Sequence, residues 1–255
     1  MNTKLIFNED GDIMSCLKKG QAVQQLREHM MWIMDRLPLD IYESHCATPD
    51  ICLFDSKAGE VLGRRMLDEA AEWVKEHPYI LPGPKPGKMH LHVAMAIQYL
   101  IEEGTEPLDL RIECAHERGV KLLGEMRMND THQTDLDLSN ALVPRFAADH
   151  PEYLIKRPDG INPVALDYSY EEVRQHRLAI LREIVEDHDA DGLSLNFTRW
   201  GKYFERDFGR ENAPIMTEFI GQIRNMLHEV AQKKGRDRLL LGARVLSTID
   251  ENFGA

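Results

Sequence analysis

The sequence predicts an α/β fold of the (β/α)8 TIM-barrel type, with about five of the eight β/α units present. Short strand-like runs alternate with longer stretches that repeat apolar residues at helical spacing, a pattern typical of parallel sheets covered by helices. The chain has 255 residues, and α/β barrels routinely form one domain of about this length. We therefore expect a single domain over residues 1–255, incomplete at its C-terminal side.

Five segments have the composition of strands, and each of the first four is followed by a helical stretch. The strand-like segments are 4–8, 39–43, 120–130, 191–197 and 239–245. The helical stretches are 21–36, 63–76, 90–103, 108–119, 170–186 and 215–234. A complete barrel has eight strands, so the chain ends about three strands short.

Two segments show neither the alternation of a strand nor the apolar spacing of a helix. Residues 78–87 (PYILPGPKPG) contain six prolines and glycines, which predicts a loop inserted into the domain. An inter-domain linker is the alternative, but helical spacing resumes at His90. Residues 131–163 also show little periodicity, and a loop of that length in a compact domain is usually functional or disordered.

Composition excludes several classes of function. Lys and Arg number 31 and Asp and Glu 43, giving a formal net charge of −12, which disfavours a nucleic-acid binder or a protein of anionic membranes. No apolar run approaches the ~18 residues of a membrane span. The first residues lack a signal peptide, so we expect a cytoplasmic protein, or a secreted one if an upstream segment is missing. Four cysteines without a C-x-x-C pair predict reduced thiols.

Strand alternation predicts where a site would lie. Side chains of a strand point alternately to opposite faces, and in a barrel one face meets the helices while the other points inward. Polar side chains share one face in three of the predicted strands. They are Glu125, Arg127 and Asn129; Ser194, Asn196 and Thr198; and Arg244. Because barrel active sites lie at the carboxyl ends of the strands, we expect the site there.

Three carboxyl groups are the candidates for catalysis. Asp130, at the end of the third strand, is the first choice, Glu125 the second, and Asp10 follows the first strand. A structural ion pair between Glu125 and Arg127 is the alternative for Glu125, and an ordinary Asp-Gly turn is the alternative for Asp10. Glu43 and His45 are weaker candidates, for which a surface loop is the alternative.

Sugar rings stack on aromatic side chains, while arginine and amide groups bind their hydroxyls. We therefore predict a carbohydrate-binding surface around the strand ends. Its predicted members are Arg127, Asn129, His132, Asn196, Arg199, Trp200 and Arg244. A lid over the barrel rim is the alternative for Trp200.

Other chemistries have little support. The sequence has no G-x-S-x-G, P-loop or G-x-G-x-x-G motif, so we expect no nucleotide cofactor. His90 and His92 have the spacing of an amidohydrolase metal pair, but they open a helix instead of ending the first strand. Asp130 and His132 can supply two metal ligands, with no further ligand cluster of known spacing.

Four segments together resemble the glycosyl-hydrolase-like 10 group of TIM barrels. They are 127–130 (RMND), 150–160 (HPEYLIKRPDG), 165–200 and 239–245 (LLLGARV). The resemblance implies a (β/α)8 barrel that acts on or binds polysaccharide-derived sugars. Members of the group carry acids on the fourth strand, where this chain has Ser194 and Asn196, and their barrels continue past the fifth strand.

The leading hypothesis is a glycoside hydrolase that cleaves an oligosaccharide or polysaccharide with paired carboxylates. A non-catalytic sugar-binding module on the same scaffold is the first alternative, because Asn196 stands where an acid is expected. A metal-dependent barrel hydrolase, such as a deacetylase, is the second. Five strands leave open edges, so self-association through the open barrel edge is also expected.

Overall fold

The computed structural model describes residues 4–78, 89–130, 135–156, 164–200, 202–205 and 211–247. The strands, in chain order, are β1 (Ile6–Glu9), β2 (Ile41–Thr48), β3 (Ile51–Cys52), β4 (Glu60–Val61), β5 (Lys121–Arg127), β6 (Gly192–Asn196) and β7 (Leu240–Arg244). The α-helices are α1 (Ala22–Met34), α2 (Leu67–Glu76), α3 (Met89–Glu102), α4 (Pro107–Glu117), α5 (Arg145–Asp149), α6 (Glu171–Glu186) and α7 (Ala213–Lys233).

Strands β1, β2, β5, β6 and β7 form a parallel sheet in the order in which they occur along the chain. Helices lie in every crossover between them. A doubly wound sheet reverses its strand order at a switch point, whereas a β/α barrel adds each new strand beside the last. The order therefore confirms the α/β class and the barrel type of winding.

The five predicted strands are confirmed, but two of their predicted ends are wrong. The third strand, predicted to reach residue 130, ends at Arg127, so Asn129 and Asp130 follow it. Strand β2 does not end at residue 43 but continues to Thr48. Its second half, ESHCAT, is polar or small and does not resemble a strand in composition, yet every residue from Ile41 to Ala47 is buried. The surface loop considered for Glu43 and His45 is therefore wrong. The two-residue strands β3 and β4 were not predicted, because runs so short carry no periodicity.

Helix α6 shows how the apolar spacing builds the core. Val173, Ile180, Leu181 and Ile184 recur at helical spacing, and all four are fully buried. The approach of α6 to the sheet depends on Gly124 of β5, since a Cβ atom there would collide with the Ile184 side chain. A glycine at this position lets the helix lie directly on the strand.

The unassigned segments are only partly described. Of the predicted loop at 78–87, residues 79–87 lie outside the described residues. Within 131–163, the described part contains α5 and a 3₁₀ turn at Pro151–Tyr153, so this stretch is not one continuous loop. In the parts of the chain that the structure describes, no helix is long and apolar enough to cross a membrane. All four cysteines are free thiols, as predicted.

Candidate functional site

The inward face of the sheet is polar, as strand alternation predicts. Further from the carboxyl ends of the strands, Glu43 of β2 accepts a hydrogen bond from Ser194 Oγ at 2.8 Å and one from Arg244 Nη2 at 3.1 Å. Both Glu43 and Ser194 are buried. Arg244 thus neutralises a carboxylate beneath the site, where burial without a partner would be costly.

A second carboxylate, Glu125 of β5, lies further toward the strand ends. It accepts hydrogen bonds from Asn8 Nδ2 at 2.8 Å and from Asn196 Nδ2 at 2.5 Å. The imidazole of His45 lies beside it, with Nδ1 3.9 Å from Glu125 Oε2. Glu125 has no exposed surface, so it is held by two amides inside the sheet.

Asn196 has both ends of its side chain occupied. Its nitrogen donates to Glu125, and its oxygen accepts from the backbone N–H and the hydroxyl of Thr198. The residue is fully buried. Asn196 therefore supports Glu125 and the turn that follows β6.

A cavity of about 400 Å³ opens above this network, at the carboxyl ends of β1, β2 and β5. Its volume lies within the range of small-molecule sites. The charged and polar residues that line it are Asp10, Asp12, His45, Thr48, His90, Arg127, Asp130 and Arg199. Four of these residues were predicted from the sequence as site residues, namely Asp10, Arg127, Asp130 and Arg199.

One guanidinium group joins the two carboxylates of this cavity. Arg127 Nη2 lies 3.3 Å from Asp10 Oδ1, and its Nη1 lies 3.1 Å from Asp130 Oδ2. Because both contacts are to one planar guanidinium, the two carboxyl oxygens lie within about 9 Å of each other. A second arginine lies beside Asp130, with Arg199 Nε 3.6 Å from Asp130 Oδ2. The Asp130 side chain is nearly buried, while that of Asp10 is 45% exposed.

His45 lies between the cavity and the buried network. Its Nε2 is 2.7 Å from Thr48 Oγ1, and Thr48 also lines the cavity. Burial holds the pKa of His45 well below its usual value, and the positive charge of Arg127 lowers it further. The imidazole is therefore neutral at pH 7, with one nitrogen as donor and the other as acceptor.

Several predicted site residues lie away from the cavity. Asn129 is fully buried, and its amide nitrogen donates to the carbonyl oxygens of Leu166 and Lys202 while its oxygen accepts from Leu166 N–H. This side chain holds two loops together. The half-buried Trp200 is not among the described residues that line the cavity, nor are Glu125, Asn129, Asn196 and Arg244. His132 lies outside the described residues.

Four cavity residues are not among the predicted catalytic or sugar-binding residues, although His45 is a weaker candidate: Asp12, His45, Thr48 and His90. A signal existed for one of them. Extending the alternation of β2 past residue 43 places His45 on the same face as Glu43, and the register pairs His45 with Glu125. Thr48 and His90 reach the cavity from the end of β2 and the first turn of α3, which no local pattern indicates.

Within the described residues, no group of three or more His, Cys, Asp or Glu side chains could hold a metal ion. His92 is buried, and burial lowers its pKa. Only its neighbour His90 reaches the cavity, which splits the histidine pair.

No protein-family model and no curated protein matches the sequence. The resemblance to the glycosyl-hydrolase-like 10 group therefore stays a prediction. Solved structures similar to this chain include glycoside hydrolases with TIM-barrel-like folds. A maltogenic alpha-amylase from Thermotoga neapolitana is 15% identical, with a TM-score of 0.47, over 94% of this chain and 45% of that one.

Two further structures are similar to about the same degree. An alpha-amylase from Geobacillus thermoleovorans is 11% identical, with a TM-score of 0.47, over 96% of this chain and 47% of that one. An alpha-galactosidase from Thermus thermophilus is 12% identical, with a TM-score of 0.45, over 88% of this chain and 36% of that one. The chain thus spans less than half the length of each of these three proteins.

Proposed function

We propose that this chain carries the active site of a glycoside hydrolase, with Asp130 and Asp10 as its pair of carboxyl groups. The observation that carries the proposal is the bridge formed by Arg127, which holds both carboxylates at one cavity. Retaining glycosidases place their two carboxyl groups about 5–5.5 Å apart, and inverting ones about 6.5–9.5 Å. A limit of about 9 Å between the bridged oxygens is compatible with either geometry.

Each residue of the bridge has a role in this proposal. Asp130, with arginines on two sides, acts as the charged carboxylate that stabilises or attacks the developing positive sugar. Asp10, at the more exposed side, is the second carboxyl. Arg127 sets the distance between them, and Arg199 binds substrate hydroxyls beside Asp130.

Glu125, the second choice from the sequence, takes a different role here. It has no exposed surface and lies below the cavity, held by Asn8 and Asn196. We assign it to positioning, because a carboxyl group that does not reach the cavity cannot touch a glycosidic bond. Its contact with His45 connects the buried network to the cavity floor.

The test is hydrolysis of a panel of aryl glycosides and oligosaccharides by the purified chain and two variants. Asp130→Asn is expected to lower turnover on any substrate that is cleaved by at least about tenfold, since carboxyl catalysis contributes typically 10²–10⁴-fold. Asp237→Asn is the matched control, because Asp237 is exposed and lies outside the cavity. Unchanged turnover in Asp130→Asn contradicts the assignment.

A sugar-binding module without catalysis is the second candidate. It is favoured by Ser194 and Asn196, which stand where the resembled family carries acids and are committed to buried hydrogen bonds. Calorimetric titration with an oligosaccharide, followed by chromatography of the same sample after long incubation, separates the two functions. Binding with an intact ligand supports the module, and cleavage supports the hydrolase.

A further inference from the structure

The cavity has an apolar side as well as a charged one. Eight of its seventeen described lining residues are apolar. The side chains that matter here are Leu53, Leu62, Met89, Val93, Leu142 and Val164, which we call the aliphatic wall. Most of them are largely buried, whereas Met89 is 40% exposed and lies at the rim.

The residues of the proposed active site and those of the aliphatic wall come from different parts of the chain. The Asp10, Arg127, Asp130 and Arg199 side chains lie at the carboxyl ends of the parallel strands. The aliphatic wall comes from the residues directly after β3 and β4, the first turns of α3, the segment before α5 and, for Val164, the segment before α6. The cavity thus combines charged groups with an apolar wall, which suits a ligand with one polar and one apolar part.

The aliphatic wall differs from the aromatic surface that the sequence predicted for sugar binding. No Phe, Tyr or Trp side chain is among the described residues lining the cavity. Tyr203 and Phe204, which follow β6, are each 1% exposed and packed in the core. A wall of aliphatic groups offers no hydrogen bonds to sugar hydroxyls, and hydroxyls placed against it would lose their bonds to water.

We propose that this cavity takes an amphiphilic glycoside, with the sugar on the Asp10–Arg127–Asp130 side and an apolar, non-sugar group on the aliphatic wall. The inference rests on the proposed function for its sugar half and deepens it by naming the substrate class. Each methylene group removed from water favours binding, so affinity rises with the length of the apolar group until the wall is covered.

Isothermal titration calorimetry with the methyl and hexyl glucopyranosides and galactopyranosides, in both anomeric forms, tests the inference. A hexyl glycoside is expected to bind at least about tenfold more tightly than the methyl glycoside of the same sugar, which corresponds to about two buried methylene groups. Leu53→Gln and Met89→Gln are expected to remove most of that difference. Met89 is exposed enough for its variant to fold, and Leu37→Gln, which is equally exposed but lies outside the cavity, is the control.

Equal affinity for the methyl and hexyl glycosides, or a preference that both wall variants retain, overturns the inference. Absence of binding by every glycoside also overturns it. Titration with hexan-1-ol then shows whether the sugar half or the apolar half of the inference is wrong. If hexan-1-ol binds and Met89→Gln weakens that binding, the aliphatic wall binds apolar groups and the proposed function is the part that is wrong. Hydrolysis of aryl glycosides with an unchanged methyl-to-hexyl ratio leaves the proposed function standing and removes only the amphiphilic class.

Discussion

Replacing Asn196 by aspartate would place an acid on β6 where the resembled family carries one, and we expect it to destabilise the protein strongly. Asn196 Nδ2 donates to Glu125 Oε1 at 2.5 Å, and neither residue has exposed surface. Asn196→Asp changes the donor into a second carboxyl of the same shape. Two buried carboxylates in contact cannot both be charged, so the pair must hold a proton.

The magnitude follows from the cost of that proton. Keeping an aspartic acid protonated at pH 7, about three units above its ordinary pKa, costs about 4 kcal/mol. The hydrogen bond formed by a proton shared between the two carboxyls offsets a part of this cost. We therefore expect the free energy of unfolding to fall by about 3–4 kcal/mol at pH 7. The folded state then binds more protons than the unfolded state. The loss therefore shrinks by about 1.4 kcal/mol for each pH unit below 7, down toward the unfolded pKa near 4.

Urea unfolding at pH 7.5 and pH 5.0 measures both effects. Asn140→Asp is the control, because Asn140 lies at a surface turn where its side-chain oxygen accepts a backbone N–H, as an aspartate also would. The double variant Asn196→Asp with Glu125→Gln again pairs one amide with one carboxyl, with the two groups exchanged. It is expected to recover most of the stability that Asn196→Asp loses. An Asn196→Asp protein with wild-type stability at both pH values would refute the buried contact on which the argument depends.

The remaining predictions concern two other buried groups. Burial holds the pKa of His45 well below its ordinary value, so below about pH 6.5 only the unfolded state gains its proton and stability falls as the pH falls, by up to about 1.4 kcal/mol per unit. Urea unfolding at pH 7.5 and 5.5 should therefore show a smaller loss for His45→Gln than for the wild type, and equal losses would contradict this. Arg177, fully buried, pairs with Asp50, and a second group beside that carboxylate is His176, whose Nε2 lies 2.9 Å from Asp50 Oδ1 and whose pKa burial lowers to about 4. Arg177→Met is therefore expected to cost about 3–5 kcal/mol at pH 7, because it leaves a buried carboxylate without a charged partner. The exposed pair of Lys57 and Asp187 is the comparison, and Lys57→Ala is expected to cost under about 1 kcal/mol; similar losses in the two variants would speak against the buried pair.

Local patterns predicted much of the fold because they record which face of an element is buried. The helical spacing of Val173, Ile180 and Ile184 placed α6 on the sheet, and all three are fully buried. Strand alternation likewise predicted that Glu125 and Asn196 share the inward face, which their hydrogen bond confirms. The end of β2 was missed, since its inward residues are polar and its sequence carries no apolar alternation.

The assignment of roles within the site needed the tertiary structure. Glu125 and Asp130 have the same chemistry and lie five positions apart, yet only Asp130 reaches the cavity. Trp200 follows β6 directly but does not line the cavity among the described residues, and the wall is aliphatic instead.

The sequence by itself determined the α/β class, the five parallel strands, their helices and the polar inward face. These follow from periodicity, which depends on neighbours a few residues apart. Only the tertiary structure decided that Arg127 bridges Asp10 and Asp130, and that Asn8 and Glu125, 117 positions apart, share a hydrogen bond. Such contacts depend on strand register and tilt, because these decide which distant side chains meet, and no local spacing encodes them.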